Sequence, residues 1–166
     1  NDWPGWPHAL VALAGARHEL GQWDSCAELV DGRIEQMATY QSAALVDFVY
    51  LGSECAGQLA DKVRSQGLRA KGLAFVTRLL DTAALSVDDR SEGMRVAREL
   101  DLALGNRDAA NAWARKQRRV LDDATRVATS AKERMTYNWP RAEVYTFLGV
   151  AHELVSDLKR SVDELP

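Results

Sequence analysis

Apolar residues recur every three or four positions along almost the whole chain. That is the period of an amphipathic helix, whereas strict alternation rich in β-branched and aromatic residues, the mark of strands, is nearly absent. Leu10, Leu13, Ala14 and Leu20 share a face of a first helix, and Pro7 fits its first turn, where a missing N–H costs nothing. Trp23, Cys26, Ala27, Val30, Ile34 and Met37 line a second helix. Only Gly21-Gln22 lies between them, too short for anything but an antiparallel return. A third helix is expected from about Tyr40 to Ser65 through Leu45, Phe48, Cys55, Leu59 and Val63. Gly52 sits on that stripe without a change of phase, which predicts a continuous helix with a close backbone contact at the glycine. Ser65-Gln66-Gly67 ends it, and a fourth helix follows through Leu68, Phe75, Val76, Leu79, Leu80 and Ala83, with Gly72 on the same stripe.

Ser86 followed by Asp89 resembles a cap for a fifth helix through Val96, Ala97, Leu100 and Leu104. After a tight turn over 105–108, a long sixth helix carries Ala110, Trp113, Val120, Ala124, Val127, Ala131 and Met135 in phase. "TYNWP" breaks it at Pro140, and a seventh carries Val144, Phe147, Leu148, Ala151, Val155, Leu158 and Val162. The expected fold is all-α, about seven helices in antiparallel hairpins, forming a single domain over residues 1–166.

Internal echoes sharpen this reading. "ALVALAGARHELGQWDSCAELV" and "RVARELDLALGNRDAANAWA" share a form: an apolar helix, Leu-Gly, a few polar residues, then a helix rich in small residues. Gly21 pairs with Gly105, Cys26 with Ala110 and Val30 with Ala114. "WPHALVALAGARHEL" and "WPRAEVYTFLGVAHEL" also match, aligning Gly15 with Gly149 and His18 with His152. The Leu20-Gly21 and Leu104-Gly105 patterns resemble the turn and second helix of tetratricopeptide-type repeats, with Arg17 and Asp101 where an aromatic is usual. The resemblance implies a right-handed array that binds a protein or peptide, of the kind found in scaffold and sensor portions of bacterial regulators. Contact residues in such arrays vary with the ligand, so it implies no specific site.

Composition narrows the field. With 166 residues, 46% hydrophobic and 27% charged, the chain is long enough to bury a core unaided. A net charge of −3 gives no bias toward nucleic acid or an anionic membrane. No apolar run approaches the roughly 18 residues of a membrane span, and no secretory signal stands out, so the cytoplasm is the expected setting. The start at Asn1 reads as a processed chain or a domain cut from a longer protein. Cys26 and Cys55 each fall on an apolar stripe and are expected to pack as reduced, small hydrophobes.

Enzyme chemistry finds little support. His18-Glu19 and His152-Glu153 suggest metal ligands, but adjacent helical residues point about 100° apart and nothing suitable stands three or four positions on. No metal and no cofactor are therefore expected. There is no Gly-x-Ser-x-Gly elbow, no cysteine with a recognisable histidine partner, and no phosphate-binding glycine loop. Asp88-Asp89 suit a helix start better than acid–base work. "WARKQRRV", 113–120, is basic, but Asp122 and Asp123 stand four residues after Arg118 and Arg119, which favours intrahelical ion pairs over nucleic acid.

Arg17 lies within the first stripe and is expected to pair with a carboxylate, reach solvent, or line a ligand groove. Trp6 and Trp139 are expected to staple their helices, Trp23 and Trp113 to face the core, and Trp3 to be exposed. The reading is a non-catalytic scaffold or regulatory domain whose first helices present Arg17, Tyr50 and Asp101 on a concave face, with Trp3 at an interface. Competing classes are a closed bundle holding a small molecule in an apolar pocket, as sensor or enzyme, and a homodimerising module.

Overall fold

The helical period folds as helices, ordered α1 (Trp6–Glu19), α2 (Trp23–Ala38), α3 (Ala44–Gly57), α4 (Lys62–Thr82), α5 (Val87–Ala103), α6 (Arg107–Val127), α7 (Ala131–Thr136), α8 (Asn138–Phe147), a 3₁₀ turn (Ala151–Leu154) and α9 (Val155–Asp163). The computed structural model describes residues 3–163, with the side chains of Asp157, Arg160, Ser161 and Val162 left out, so the place of Val162 on the seventh stripe lies outside the described side chains. No strand occurs among the described residues, and no helix there is long and apolar enough to cross a membrane.

Local chemistry sets the boundaries. Asp61 caps α4 by accepting from the Val63 and Arg64 N–H groups. Ser86 caps α5 by accepting from the Asp89 N–H at 3.1 Å and donates its own hydroxyl to Asp89 Oδ2. At α7, Ser130 Oγ accepts from Glu133 N–H while Glu133 accepts from Thr129 N–H, which gives that short helix a reciprocal start.

Three helices end alike. Gly21, Gly105 and Gly149 hold φ of +68°, +84° and +74°. In each turn the glycine N–H donates three residues back and the next N–H donates five residues back: Gln22 to Arg17, Asn106 to Asp101, Val150 to Tyr145. That pair of bonds closes the last carbonyls of a helix, and only glycine takes the left-handed geometry without penalty.

These caps correct four expectations. The third helix does not run to Ser65: it stops at Gly57, and Asp61 starts α4, so Gly67 lies inside a helix. Leu59 in the link is buried, which is why the stripe continued through the break. The sixth helix ends at Val127, which is exposed like Met135. The seventh is divided at Gly149. Gly15 is mid-helix in α1, so Gly149 corresponds to the turn glycines Gly21 and Gly105, not to Gly15.

Each long helix packs on the next, and α1 also reaches α3, α2 reaches α4, and α3 reaches α5. Phe48, Ile34, Leu45, Val76 and Leu100 lie in the main core, which α1–α5 share. Leu13 and Leu20, assigned to the first stripe, are exposed; α1 buries Pro7, Leu10 and Ala14. The expected close contact at Gly52 is present: a Cβ there would lie 2.5 Å from Val30 Cγ1. Across the outer surface, Arg64 meets Asp24 and Glu28 while Lys71 meets Asp31 and Glu35, so α2 and α4 pair charges at heptad spacing.

The cysteines overturn the reduced-thiol expectation. Cys26 of α2 and Cys55 of α3 form a disulfide, both fully buried. Each stripe position was read correctly as buried. Antiparallel packing then brings the two Cα atoms to 6.1 Å, within bonding range.

Candidate functional site

A second, smaller core lies beneath α6 and α8, formed by Ala114, Leu121, Val144, Tyr145 and Leu154. Beside it the α5–α6 contact is polar. Ser91, Arg98 and Asp101 of α5 and Gln117 of α6 are all buried. Ala110, Ala114 and Ala124 let α6 approach closely, and Gln117 shares their buried face. Arg98 Nη1 donates to Gln117 Oε1 at 3.1 Å, and Gln117 Nε2 donates to Ser91 Oγ at 3.2 Å. Arg98 Nη2 donates to Glu143 of α8, and its guanidinium lies 4.7 Å from the Phe147 ring centroid. Such partners offset the cost of burying polar groups, although Arg98 Nε is buried without a hydrogen bond among the described residues.

A clamp holds α8 in place. Asp122 of α6 accepts from Arg141 Nε at 3.0 Å and from the Tyr145 hydroxyl at 2.8 Å. Burial, then the bond to Asp122, pushes the Tyr145 hydroxyl above its ordinary pKa. Arg118 lies over the Tyr145 ring and pairs with both Asp122 and Glu153.

Held so, α8 stands off from α5 and leaves a groove. One cavity of about 330 Å³ has Asp88, Ser91, Glu92 and Arg95 on its α5 side and Gln117 at its base. Trp139, Pro140 and Glu143 form its α8 side. A second, of about 280 Å³, shares Trp139 and Glu143 with the first and is completed by Ala142 and Thr146, all on α8. Trp139 is 81% exposed, so it does not staple α8 as expected. Trp6, by contrast, stacks on Tyr40 at 5.5 Å. Arg95 is held by Glu92 and Glu99 and covers the Tyr50 ring at 4.9 Å.

The residues singled out from the sequence do not converge. Arg17 is half-buried and donates to the Ser25 carbonyl, a backbone oxygen of α2 and not a carboxylate. Tyr50 is half-buried under Arg95, and burial, followed by Glu54 and Glu99, raises its pKa. Asp101 is only 3% exposed and accepts from Trp113 Nε1 and Asn106 Nδ2, both at 3.0 Å, so it locks the α5–α6 hairpin instead of projecting from it. Trp3 is 61% exposed, as expected, and lies over Gly5.

Of the basic cluster, Arg118 pairs with Asp122, whereas Asp123 pairs with Arg126. His18 packs edge-on against Trp23, and His152 is exposed. Among the described residues, no group of three or more His, Cys, Asp or Glu is placed to hold a metal ion.

Sequence reasoning missed Ser91, Arg98, Gln117 and Arg141. A signal existed for three of them: Ser91, Met94, Arg98 and Asp101 keep the three-and-four spacing of a buried stripe, and Gln117 stands in phase with Ala110, Ala114, Leu121 and Ala124. No protein-family model, curated protein or solved structure matches the chain.

Proposed function

We propose that this protein is a non-catalytic binding domain, a hairpin array of the tetratricopeptide kind, that docks a polypeptide segment in the α5–α8 groove. The observation that carries the reading is the pair of cavities that share Trp139 and Glu143 in their lining. One has a polar base and charged walls; the other is walled by Trp139, Ala142 and the stem of Glu143. Two neighbouring compartments of unlike chemistry suit successive side chains of an extended or helical segment. An exposed tryptophan lining both is the residue type that dominates binding energy at interfaces. The repeated Leu-Gly turns and the burial of Cys26 with Ala110 and of Val30 with Ala114 support the array. The reading shifts the contact surface from the first helices to α5 and α8, and its setting is an oxidising compartment, because a buried disulfide is rare where thiols are kept reduced.

The test is selection of binders from a random ten-residue peptide library, followed by mapping on the ¹⁵N-labelled protein by NMR. Shifts centred on Ser91, Gln117 and Trp139, lost in Trp139→Ala, are the expected result. Selected peptides that map to another face, or that bind Trp139→Ala undiminished, would overturn it.

The volume of the polar cavity also falls in the range of small-molecule sites. That favours, as a second reading, a small polar ligand in place of a peptide, which ligand-observed NMR screening would reveal.

A further inference from the structure

Resting on that reading, we infer that the polar cavity of the groove receives a basic side chain, lysine or arginine, of the bound segment, its aliphatic stem lying along Trp139. The charge around the cavity is one-sided. Asp88, Glu92 and Glu143 line it against a single guanidinium, Arg95. Widening the circle to include the ion-pair partners behind the wall adds Glu99 and Arg98 and leaves four carboxylates against two guanidiniums. The excess thus persists when the ion-pair partners are counted.

The hydrogen-bonding capacity points the same way. Arg95 is already engaged, with Nε and Nη2 on Glu92 and Nη1 on Glu99, so it is a poor receptor for an incoming anion. Asp88 is exposed and makes no ion pair or hydrogen bond among the described residues. At the base, Gln117 Oε1 and Ser91 Oγ each accept one hydrogen bond and retain a second lone pair. A cationic head thus meets a carboxylate at the rim and neutral acceptors below.

The wall of the cavity fits the rest of such a side chain. A lysine or arginine carries three or four methylenes beneath its charge, and these pack on aromatic faces while the head keeps polar contacts. An anionic head would face the carboxylates, and a purely apolar side chain would leave the spare acceptor lone pairs of Gln117 and Ser91 and the rim carboxylate unused. Glu92 is also felt at Asp47 of α3. There desolvation, followed by Glu92 and Asp89, raises the carboxyl above its ordinary pKa, with Arg95 and His8 opposing.

A plain helix-start role for Asp88, in the first turn of α5, is the competing account. The two separate in a titration of the full chain, followed by the Trp139 indole and Gln117 amide signals in ¹⁵N NMR. Three probes are used: acetyl-lysyl-leucine amide, its norleucyl analogue and its glutamyl analogue. The lysyl probe is expected to move both signals at millimolar concentration, at least threefold more tightly than the norleucyl probe, with the preference falling as salt is raised. Asp88→Asn is expected to abolish the preference, and Asp88→Lys to reverse it toward the glutamyl probe.

Equal binding of lysyl and norleucyl probes overturns the basic-side-chain assignment while leaving the groove a peptide site. Preference for the glutamyl probe overturns it as well. Groove signals that respond to none of the three overturn both this assignment and the docking reading. A melting temperature that falls in Asp88→Asn with the lysyl preference intact assigns Asp88 to the helix start alone and overturns its part here.

Discussion

Asp101 shows how one buried charge organises its surroundings. Its carboxylate accepts from the Trp113 indole across the α5–α6 hairpin and from Asn106 in the turn. It thereby ties the end of one helix to the first turns of the next. Removing the indole N–H while keeping an aromatic ring leaves a buried carboxylate short of a donor, at a cost of about 1–3 kcal/mol. Trp113→Phe is therefore expected to lower the unfolding free energy by that amount, read as a lower urea midpoint at unchanged slope; a neutral result would mean that water reaches Asp101. Asp47 gives the opposite case. Its carboxyl pKa is raised, first by desolvation and then by Glu92 and Asp89, so protonation is favoured more in the folded chain than in the unfolded one. A raised pKa adds stability below the unfolded value of about 3.9 and forfeits it as pH climbs through the folded value. Asp47→Asn should accordingly be more stable than the parent at neutral pH, by well under about 1 kcal/mol because the partly desolvated carboxyl still reaches solvent. The two curves should converge in acid. A gain that persists in acid would assign it to something other than charge.

At the scale of elements, close approach matters more than propensity. Gly52 in α3 lets Val30 of α2 reach its backbone, and a Cβ there would meet Val30 Cγ1 at 2.5 Å and Val30 Cβ at 3.0 Å. Forcing extra volume into such a contact costs about 1–3 kcal/mol, against the small gain in helix propensity from alanine. Gly52→Ala should destabilise despite that gain, and Val30→Ala should restore part of the loss in the double variant. Strict additivity would show that the two helices separate without strain. This contact was legible in the sequence, because Gly52 stood on an apolar stripe that kept its phase. The breaks were not, because a stripe counts apolar letters and a cap is written in polar ones. Leu59 is buried in the link before α4, so periodicity ran across a true boundary whose marker was Asp61. Ser130-x-x-Glu133 is a readable cap, lost because Ala131 and Met135 continued the pattern of α6. The groove failed for the same reason: Arg98 and Gln117 occupy stripe positions with polar letters, and Trp139 looked like a staple until its exposure was seen. No pattern of spacing tells which two helices leave a gap between them.

For the whole molecule, the disulfide reinforces how the helices hold together. Cys26 and Cys55 join α2 to α3 across a sequence separation of 29, in the middle of the core shared by α1–α5. Closing a loop of that length restrains the unfolded chain and stabilises by about 2–4 kcal/mol. The helices on either side are already committed to one another by Val30 against Gly52 and by Phe48 and Ile34 in the same core. The bond therefore reinforces a packing that exists without it. Reduction in denaturant, followed by dilution with the thiols kept reduced, should return the same helical circular dichroism. The thermal midpoint should drop by roughly 4–16 °C, from about 2–4 °C per kcal/mol at this chain length. Both sulfurs are buried, so under native conditions reductant should act only at the rate at which α2 and α3 open. The Cys26→Ala/Cys55→Ala variant should match the reduced protein more closely than the oxidised one. The α5–α8 groove lies outside the disulfide-linked pair, so peptides selected against the oxidised chain should bind the reduced one with unchanged affinity below its melting range. Loss of binding on reduction, with the circular dichroism intact, would show that the groove is set by the packing of α2 on α3 and not by the Asp122 clamp on α8 alone.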